Sequence, residues 1–149
     1  MKKTAAAIAL TVLAGCAIGI QENGGSPRVS YEVDRSYQTV HDRAVAQADE
    51  CLRGDDSGFD GRRENRDVRG SAFVVKQHLD QAARSGEITV SDPMTGAVVA
   101  RTRLQAVSAN RTAVTQEVWG RGSWNGKTLN AMRRSIEMDA SVCTVYKVD

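Results

Sequence analysis

The sequence predicts an α+β fold, a two-layer sandwich in which an antiparallel β-meander of about four strands packs against two amphipathic helices. In four successive stretches between residues 73 and 118, apolar residues alternate with polar ones, which is typical of half-buried strands. Before and after these stretches, apolar residues recur at three- and four-residue spacing, which is typical of amphipathic helices. A sheet and two helices that each carry one apolar face can bury those faces in a sandwich.

The first helix is predicted over residues 37–53. Asp34 or Ser36 can cap its N-terminus, and Gly54 follows its last turn as a stop signal. His41 lies beside the apolar stripe of this helix, so we expect its imidazole to be solvated. The stripe itself consists of Tyr37, Val40, Ala44, Ala48 and Cys51.

The strands of the meander are predicted around residues 73–79, 88–90, 98–106 and 112–118. Asp92-Pro93-Met94-Thr95-Gly96 connects the middle pair as a turn, because proline presets φ and glycine accepts a positive φ. Ser108-Ala109-Asn110-Arg111 makes a second tight connection. Connections as short as these join antiparallel neighbours.

The closing helix is predicted over residues 124–140, where Leu129, Met132 and Ile136 share one stripe. Short alternating stretches at residues 29–33 and 145–148 allow one more strand at either end of the domain.

The N-terminus has the composition of a secretory signal peptide. Lys2 and Lys3 precede an uncharged run, residues 4–20, which as a helix would extend about 25 Å. That length is short of a hydrocarbon core of roughly 30 Å. A charged start, a short apolar run and small residues before a break indicate a signal peptide rather than a membrane-spanning helix.

Leu13-Ala14-Gly15-Cys16 resembles the lipobox of bacterial lipoproteins, in which the cysteine is acylated, with palmitate among its acyl chains, and becomes the first mature residue. The resemblance implies that Cys16 is the lipidation site and that the chain contacts the membrane through an N-terminal lipid. In Gram-negative members an aspartate after the cysteine retains the protein at the inner membrane. Ala17 stands there instead, which implies the outer membrane. The alternative is an ordinary signal peptide with a chance cysteine.

This resemblance divides the chain into a signal peptide at residues 1–15, a lipidated cysteine with a flexible Gly/Ser/Pro linker at 16–28, and one α+β domain at 29–149 with a charged loop at 53–70. The whole chain carries 20 Lys and Arg and 18 Asp and Glu. Removal of the signal peptide would remove two lysines and no acidic residue, which leaves 18 of each. The mature chain is therefore formally neutral. We expect no nucleic-acid partner, because binding to nucleic acid requires excess positive charge.

Cys51 and Cys143 are the two cysteines that remain in the mature chain, and an even pair in an oxidising compartment predicts a disulfide. Zinc is the competing interpretation. His41 and Cys51 lie ten residues apart on one predicted helix, about 15 Å along its axis, so they could not share an ion. We expect the disulfide, no metal and no cofactor.

Two segments are candidate contact surfaces. The charged loop contains Arg62, Arg63 and Arg66, which could contact lipid headgroups or an acidic partner. The glycine-rich segment 120–126 contains Arg121 and Trp124, and it joins a predicted strand to a predicted helix, as phosphate-binding loops do. Its G-x-G-x-x-x-G spacing and the short chain that follows argue against a dinucleotide site. The alternative is a chain-reversing turn that lets Trp124 pack.

No residue pattern indicates a catalyst. Ser123 lacks the G-x-S-x-G elbow, and acids that alternate with arginines are typical of solvated surface pairs. By analogy with other small tethered domains, the leading hypothesis is a non-enzymatic interaction domain for an assembly or secretion system of the cell envelope, with an envelope protein as its partner on the periplasmic side. The alternative is a monomeric periplasmic or surface protein that captures an anionic ligand or inhibits a foreign enzyme.

Overall fold

The computed structural model describes residues 18–53 and 73–144. Five antiparallel strands form one sheet in the order β1-β5-β4-β3-β2, and two helices pack on one of its faces. The elements in chain order are β1 (Arg28–Val33), α1 (Tyr37–Gln47), a π-helical turn (Ala48–Leu52), β2 (Val74–Asp80), β3 (Ser85–Ser91), β4 (Val98–Ala106), β5 (Thr112–Val118) and α2 (Gly126–Met138). The predicted α+β sandwich is confirmed.

The sheet has five strands rather than about four, because β1 joins it. β1 pairs antiparallel with β5, from Arg28 opposite Glu117 to Val33 opposite Thr112. The alternation at residues 29–33 therefore marks a true strand, whose inward side chains Val29, Tyr31 and Val33 pack against the core. The last strand allowed by the sequence, residues 145–148, lies outside the described residues.

The helices begin at side-chain caps. Ser36 Oγ accepts a hydrogen bond from the Thr39 amide at α1, and Asn125 Oδ1 accepts one from the Lys127 amide at α2. α2 ends where Asp139 adopts the left-handed conformation at φ 54°. The helix is two residues shorter at each end than the predicted 124–140. Trp124 belongs to the turn before it, Asn125 and Asp139 are its caps, and Ala140 lies beyond the C-cap.

The core lies between the helices and one face of the sheet, where α1 covers β3 and β4, and α2 covers β5 and β1. Its central side chains are Val40, Ala44, Ile88, Val90, Ala100, Leu104, Val114, Val118, Met132 and Ile136. A polar chain crosses this core: the Tyr31 hydroxyl donates to Gln116 Oε1 at 3.0 Å, and Gln116 Nε2 donates to Thr102 Oγ1 at 3.4 Å. Burial, and then the nearby Glu137 carboxylate, raise the pKa of Tyr31 well above its usual range, so this hydroxyl keeps its proton.

The disulfide between Cys51 and Cys143 is confirmed, with 5.0 Å between the two Cα atoms. It connects the π-helical turn to the segment that follows α2. That segment is also held by Ser135, whose Oγ accepts from the Val142 amide at 2.8 Å. The bond therefore closes the helical layer, joining the end of the first helical segment to the chain beyond the second.

His41 is buried, with 5% of its surface exposed, so the expectation of a solvated imidazole is wrong. Its ring packs over Gly86 of β3, where the absence of a side chain makes room for it. Nδ1 lies 3.5 Å from Asp42 Oδ1, but neither ring nitrogen has a hydrogen-bond partner within residues 18–53 and 73–144. Helical spacing in the sequence does not predict that His41 is buried. Its burial depends on Gly86 of the facing strand β3, which leaves room for the ring and so widens the buried face of α1.

We expect His41→Leu to raise the free energy of unfolding by about 1 kcal/mol, because burying polar groups without hydrogen bonds costs stability that an apolar side chain of similar size does not lose. Urea denaturation followed by circular dichroism measures the change. His78, the other histidine, lies on the exposed face of β2, so His78→Leu is the matched control and should stay within about 0.5 kcal/mol. A less stable His41→Leu variant would contradict this account of the ring.

Candidate interaction surface

The glycine-rich segment 120–126 and the two described residues that flank the charged loop, Arg53 and Phe73, lie at one end of the sheet. We call it the upper end: there β1, β2 and β4 begin, and β3 and β5 finish. The pairings Arg28–Glu117, Val74–Ser91 and Ala100–Val118 place these strand ends side by side. Residues 18–27, the β3–β4 turn and the glycine turn after β5 all lie there.

Residues 18–22 pack on the start of β4. The Ile20 amide donates to the Val98 carbonyl at 2.8 Å, and Glu22 lies 3.4 Å from the Arg101 guanidinium. Gly19 is buried at φ 103°, and a Cβ there would lie 2.9 Å from the Val98 carbonyl oxygen. Only glycine fits this position without displacing the segment.

Residues 26 and 27 pack on the end of β5. The Ser26 hydroxyl donates to the Trp119 carbonyl at 3.3 Å, and the Val118 amide donates to the Pro27 carbonyl at 3.1 Å. The described part of the expected flexible linker is thus fixed to the domain. Composition alone missed these contacts, because glycine, serine and proline occur both in free linkers and in tightly turned segments.

The β3–β4 turn is held by the Asp92 carboxylate, which accepts from the Met94 and Thr95 amides and from the Thr95 hydroxyl, all through Oδ1 at 2.8–3.0 Å. These hydrogen bonds, the one from the Thr95 amide first, lower the pKa of Asp92 below its usual range. The predicted turn is therefore closed by hydrogen bonds to its own Asp92 side chain, and Met94 lies at its tip with 87% of its surface exposed.

The glycine turn reverses the chain between β5 and α2. Gly120 and Gly122 have φ values of 94° and 55°, and the Gly120 amide donates to the Trp124 carbonyl at 2.6 Å. The Trp124 amide donates back to the Arg121 carbonyl at 3.0 Å. Arg121 is exposed at the tip of the turn, as a contact residue should be.

Trp124 is only 7% exposed, so it is a core residue and does not present its ring to a partner. Its ring meets that of Phe73 edge to face, with 4.8 Å between ring centroids. The alternative interpretation of the glycine segment, a turn that lets Trp124 pack, describes this geometry.

The charged loop leaves and rejoins the domain next to this turn. The Phe73 amide donates to the Arg53 carbonyl at 2.8 Å, which brings the two ends of the loop together. Arg62, Arg63 and Arg66 lie outside the described residues. Phe73 therefore connects the base of the charged loop to the glycine turn, through its amide to Arg53 and through its ring to Trp124.

The start of α2 is already occupied by protein groups. Asn125 accepts from the Lys127 amide at 2.9 Å, and its own side-chain nitrogen donates to the Gly122 carbonyl at 2.8 Å. The Asn125 side chain therefore occupies the position over the first turn of α2 where a phosphate would bind. Arg121, at the tip of the glycine turn, and Lys127, in the first turn of α2, are exposed cations beside it.

We expect Gly120→Ala to lower the free energy of unfolding by about 2–3 kcal/mol, because alanine is strained at φ 94° and its Cβ would lie 2.8 Å from Pro27 Cδ. Gly126→Ala is the matched control. A Cβ at Gly126 meets nothing within 4 Å, and alanine favours the helix that begins there, so this change should be neutral or stabilising by about 0.5 kcal/mol. Thermal denaturation of both variants measures the difference, and equal losses would show that the conformation of Gly120 is not needed.

The face of the sheet opposite the helices is polar. It carries a shallow groove of about 530 Å³ across β2, β3, β4 and β5. The Arg103 Nε donates to Glu87 Oε2 at 2.8 Å, and this hydrogen bond raises the pKa of the guanidinium. The groove is lined by His78, Asp80, Ser85, Gly86, Glu87, Arg103, Leu104, Gln105, Ala113 and Thr115.

Comparison of the chain with protein-family models and with curated proteins finds no match. Neither helix within residues 18–53 and 73–144 has the length and apolar character needed to cross a bilayer. In the same part of the chain, no three histidine, cysteine, aspartate or glutamate side chains lie close enough to hold a metal ion.

Proposed function

We propose that this chain is a lipid-anchored lipoprotein of the bacterial cell envelope, held at the outer membrane through Cys16, whose domain acts by binding an envelope protein and not by catalysis. The observation that carries the proposal is the convergence at the upper end. Gly19 and Ile20, three and four residues after the lipobox cysteine, contact Val98 at the start of β4 there, and the glycine turn and the base of the charged loop lie at the same end.

This convergence favours a partner located at the membrane. A surface that lies next to the anchor is delivered to the plane of the bilayer, where the exposed part of an envelope protein also lies. Arg121 is the exposed side chain of the glycine turn, and Arg62, Arg63 and Arg66 belong to the loop that begins beside it. Arginine is well suited to such a contact, because its guanidinium makes bidentate hydrogen bonds to carboxylates.

In-cell cross-linking followed by mass spectrometry tests this function. We expect the native chain to capture one dominant envelope protein, and a soluble form that carries an ordinary signal peptide in place of residues 1–17 to capture much less. The mass of the N-terminal peptide of the native chain tests acylation of Cys16 directly. Capture by both forms alike would argue that the anchor plays no part in partner binding.

We expect Arg121→Ala to reduce capture of that partner at least about fivefold while leaving the thermal midpoint within a degree or two, because the side chain is exposed and outside the core. Arg111→Ala is the matched control. Arg111 is also exposed but lies at the opposite end of the sheet, in a surface pair with Glu32 at 3.4 Å. Equal losses in the two variants would contradict a contact surface at the glycine turn.

The second candidate function is capture of a small anionic ligand by the soluble domain. Arg121 is its cation, and the exposed position of that side chain is the observation in its favour. This function predicts a thermal shift with inorganic phosphate that Arg121→Ala abolishes. This function ranks second because Asn125 Oδ1 already accepts from the Lys127 amide in the first turn of α2, where an anion would bind.

A further inference from the structure

Large apolar side chains are exposed at the upper end. Ile18 is 50% exposed beside the start of β4, and Met94 is 87% exposed at the tip of the neighbouring turn. Val74, the first residue of β2, is exposed opposite Ser91 at the base of the same turn. Single exposed apolar residues are ordinary, but three at one end of a small sheet indicate a surface that is covered by something.

The short length of chain between Cys16 and Ile18 indicates what covers this apolar surface. Two residue steps separate Cys16 from Ile18, and two fully extended residues span at most about 7 Å. Gly19 and Ile20 are fixed to Val98, so no slack can be drawn from the residues that follow. If Cys16 carries the lipid, Ile18 and the adjoining start of β4 lie within one lipid-headgroup layer of the anchored cysteine.

We propose that the upper end is seated on the lipid bilayer, with the Ile18 and Met94 side chains in the headgroup and upper acyl region. This inference rests on the proposed lipidation of Cys16, and it names the first partner of the upper end as the membrane itself. Met94 suits this role because three hydrogen bonds to Asp92 fix the turn that carries it. Little conformational entropy is lost when such a turn meets the membrane.

Two of the arginines at this end are paired with carboxylates. Arg28 lies 3.6 Å from Glu117, and Arg101 is paired with Glu22. Arg28 and Arg101 already have carboxylate partners, so we expect apolar contact and the short chain between Cys16 and Ile18 to hold this end at the bilayer. Exposed Arg121 at the same end adds a salt-dependent attraction only where the lipid is anionic.

Site-specific photo-cross-linking in cells tests the seat with the full-length protein. A diazirine-bearing amino acid replaces Met94, and in a matched control it replaces Val107, which is 48% exposed in the β4–β5 turn at the other end of the sheet. After irradiation, mass spectrometry measures phospholipid adducts on the peptide that carries the probe. We expect the yield of lipid adducts to be at least about fivefold higher at residue 94 than at residue 107.

A second pair of variants tests whether the attachment of residues 18–22 to β4 holds the upper end close to the lipidated Cys16. Gly19→Ala should detach residues 18–22 from β4 and reduce the lipid adducts at residue 94 by half or more, because its Cβ collides with the Val98 carbonyl. Gly25→Ala, whose Cβ makes only an ordinary 3.7 Å contact with Gln21, should leave the yield unchanged. Equal losses in both variants would argue against the tether.

The outcomes separate this inference from the proposed function. An acylated Cys16 with equal lipid adducts at residues 94 and 107 would overturn the seat and leave the lipoprotein proposal standing. Protein adducts that predominate at residue 94 would overturn the seat in favour of a protein cover. An unacylated Cys16 would overturn both.

Discussion

The double variant Cys51→Ser, Cys143→Ser is expected to lose about 3–5 kcal/mol of the free energy of unfolding. The bond joins residues separated by 92 positions, and without it the unfolded chain regains the conformational freedom of a loop of that length. The chain-entropy model assigns about 4.6 kcal/mol to a loop of this size, and measured losses in small domains are about 2–5 kcal/mol. Guanidinium denaturation of the purified soluble domain, with and without reducing agent, measures the loss.

Reduction provides the matched control, because reduced wild-type domain and the double variant should unfold at the same midpoint. The variant should also lose order first near Cys143, since Ser135 and Val142 are left to hold that segment. Hydrogen exchange at the amides of residues 141–144 reports on this. A variant as stable as the oxidised wild type would show that the fold does not depend on this cross-link.

Trp124→Ala is expected to lower the free energy of unfolding by about 3–5 kcal/mol, because it leaves a large cavity below the glycine turn. Phe73 loses its edge-to-face partner, so the base of the charged loop loses its support as well. Chemical denaturation followed by circular dichroism measures the stability. Limited proteolysis within residues 54–72 reports on the loop.

Two variants make this result specific. Trp124→Phe keeps an aromatic ring and should lose less than half as much stability. Arg121→Ala changes the exposed side chain of the same turn and should stay within about 0.5 kcal/mol of wild type. If Trp124→Ala and Arg121→Ala were equally mild, Trp124 would not be a core residue.

The parts of the fold that the sequence predicted are those that depend on local pattern. Alternation located the strands from residue 73 to residue 118, helical spacing placed Leu129, Met132 and Ile136 in the core, and the Asp92–Gly96 stretch formed the turn that its proline and glycine indicated. The pairing of Cys51 with Cys143 also followed, because only two cysteines remained and the two helices brought their ends together.

The features that were missed depend on contacts between distant residues. β1 pairs with β5 across 79 to 89 positions, from Val33 opposite Thr112 to Arg28 opposite Glu117, and periodicity does not show which strand a short stretch will join. His41 is buried because Gly86, on another strand, leaves space for its ring. Gly19 and Ile20 pack on β4 through backbone contacts, and such contacts do not depend on a pattern of apolar side chains that the sequence could show. In the candidate contact surface Arg121 is exposed, and of the two interpretations of the glycine segment the structure agrees with the one in which Trp124 packs in the core.

The packing of residues 18–22 has a mechanical consequence. β4 is the middle strand of the five, and the Ile20 amide and the Glu22 carboxylate both attach to it. A force applied to the chain on the N-terminal side of Ile18 is therefore taken up first by the centre of the sheet. Were residues 18–27 free, the same force would reach β1 directly and could peel this edge strand away from β5 one hydrogen bond at a time. The attachment of residues 18–22 to β4 thus protects the edge strand β1, and the domain can bear a pulling force at its N-terminus without separating β1 from β5.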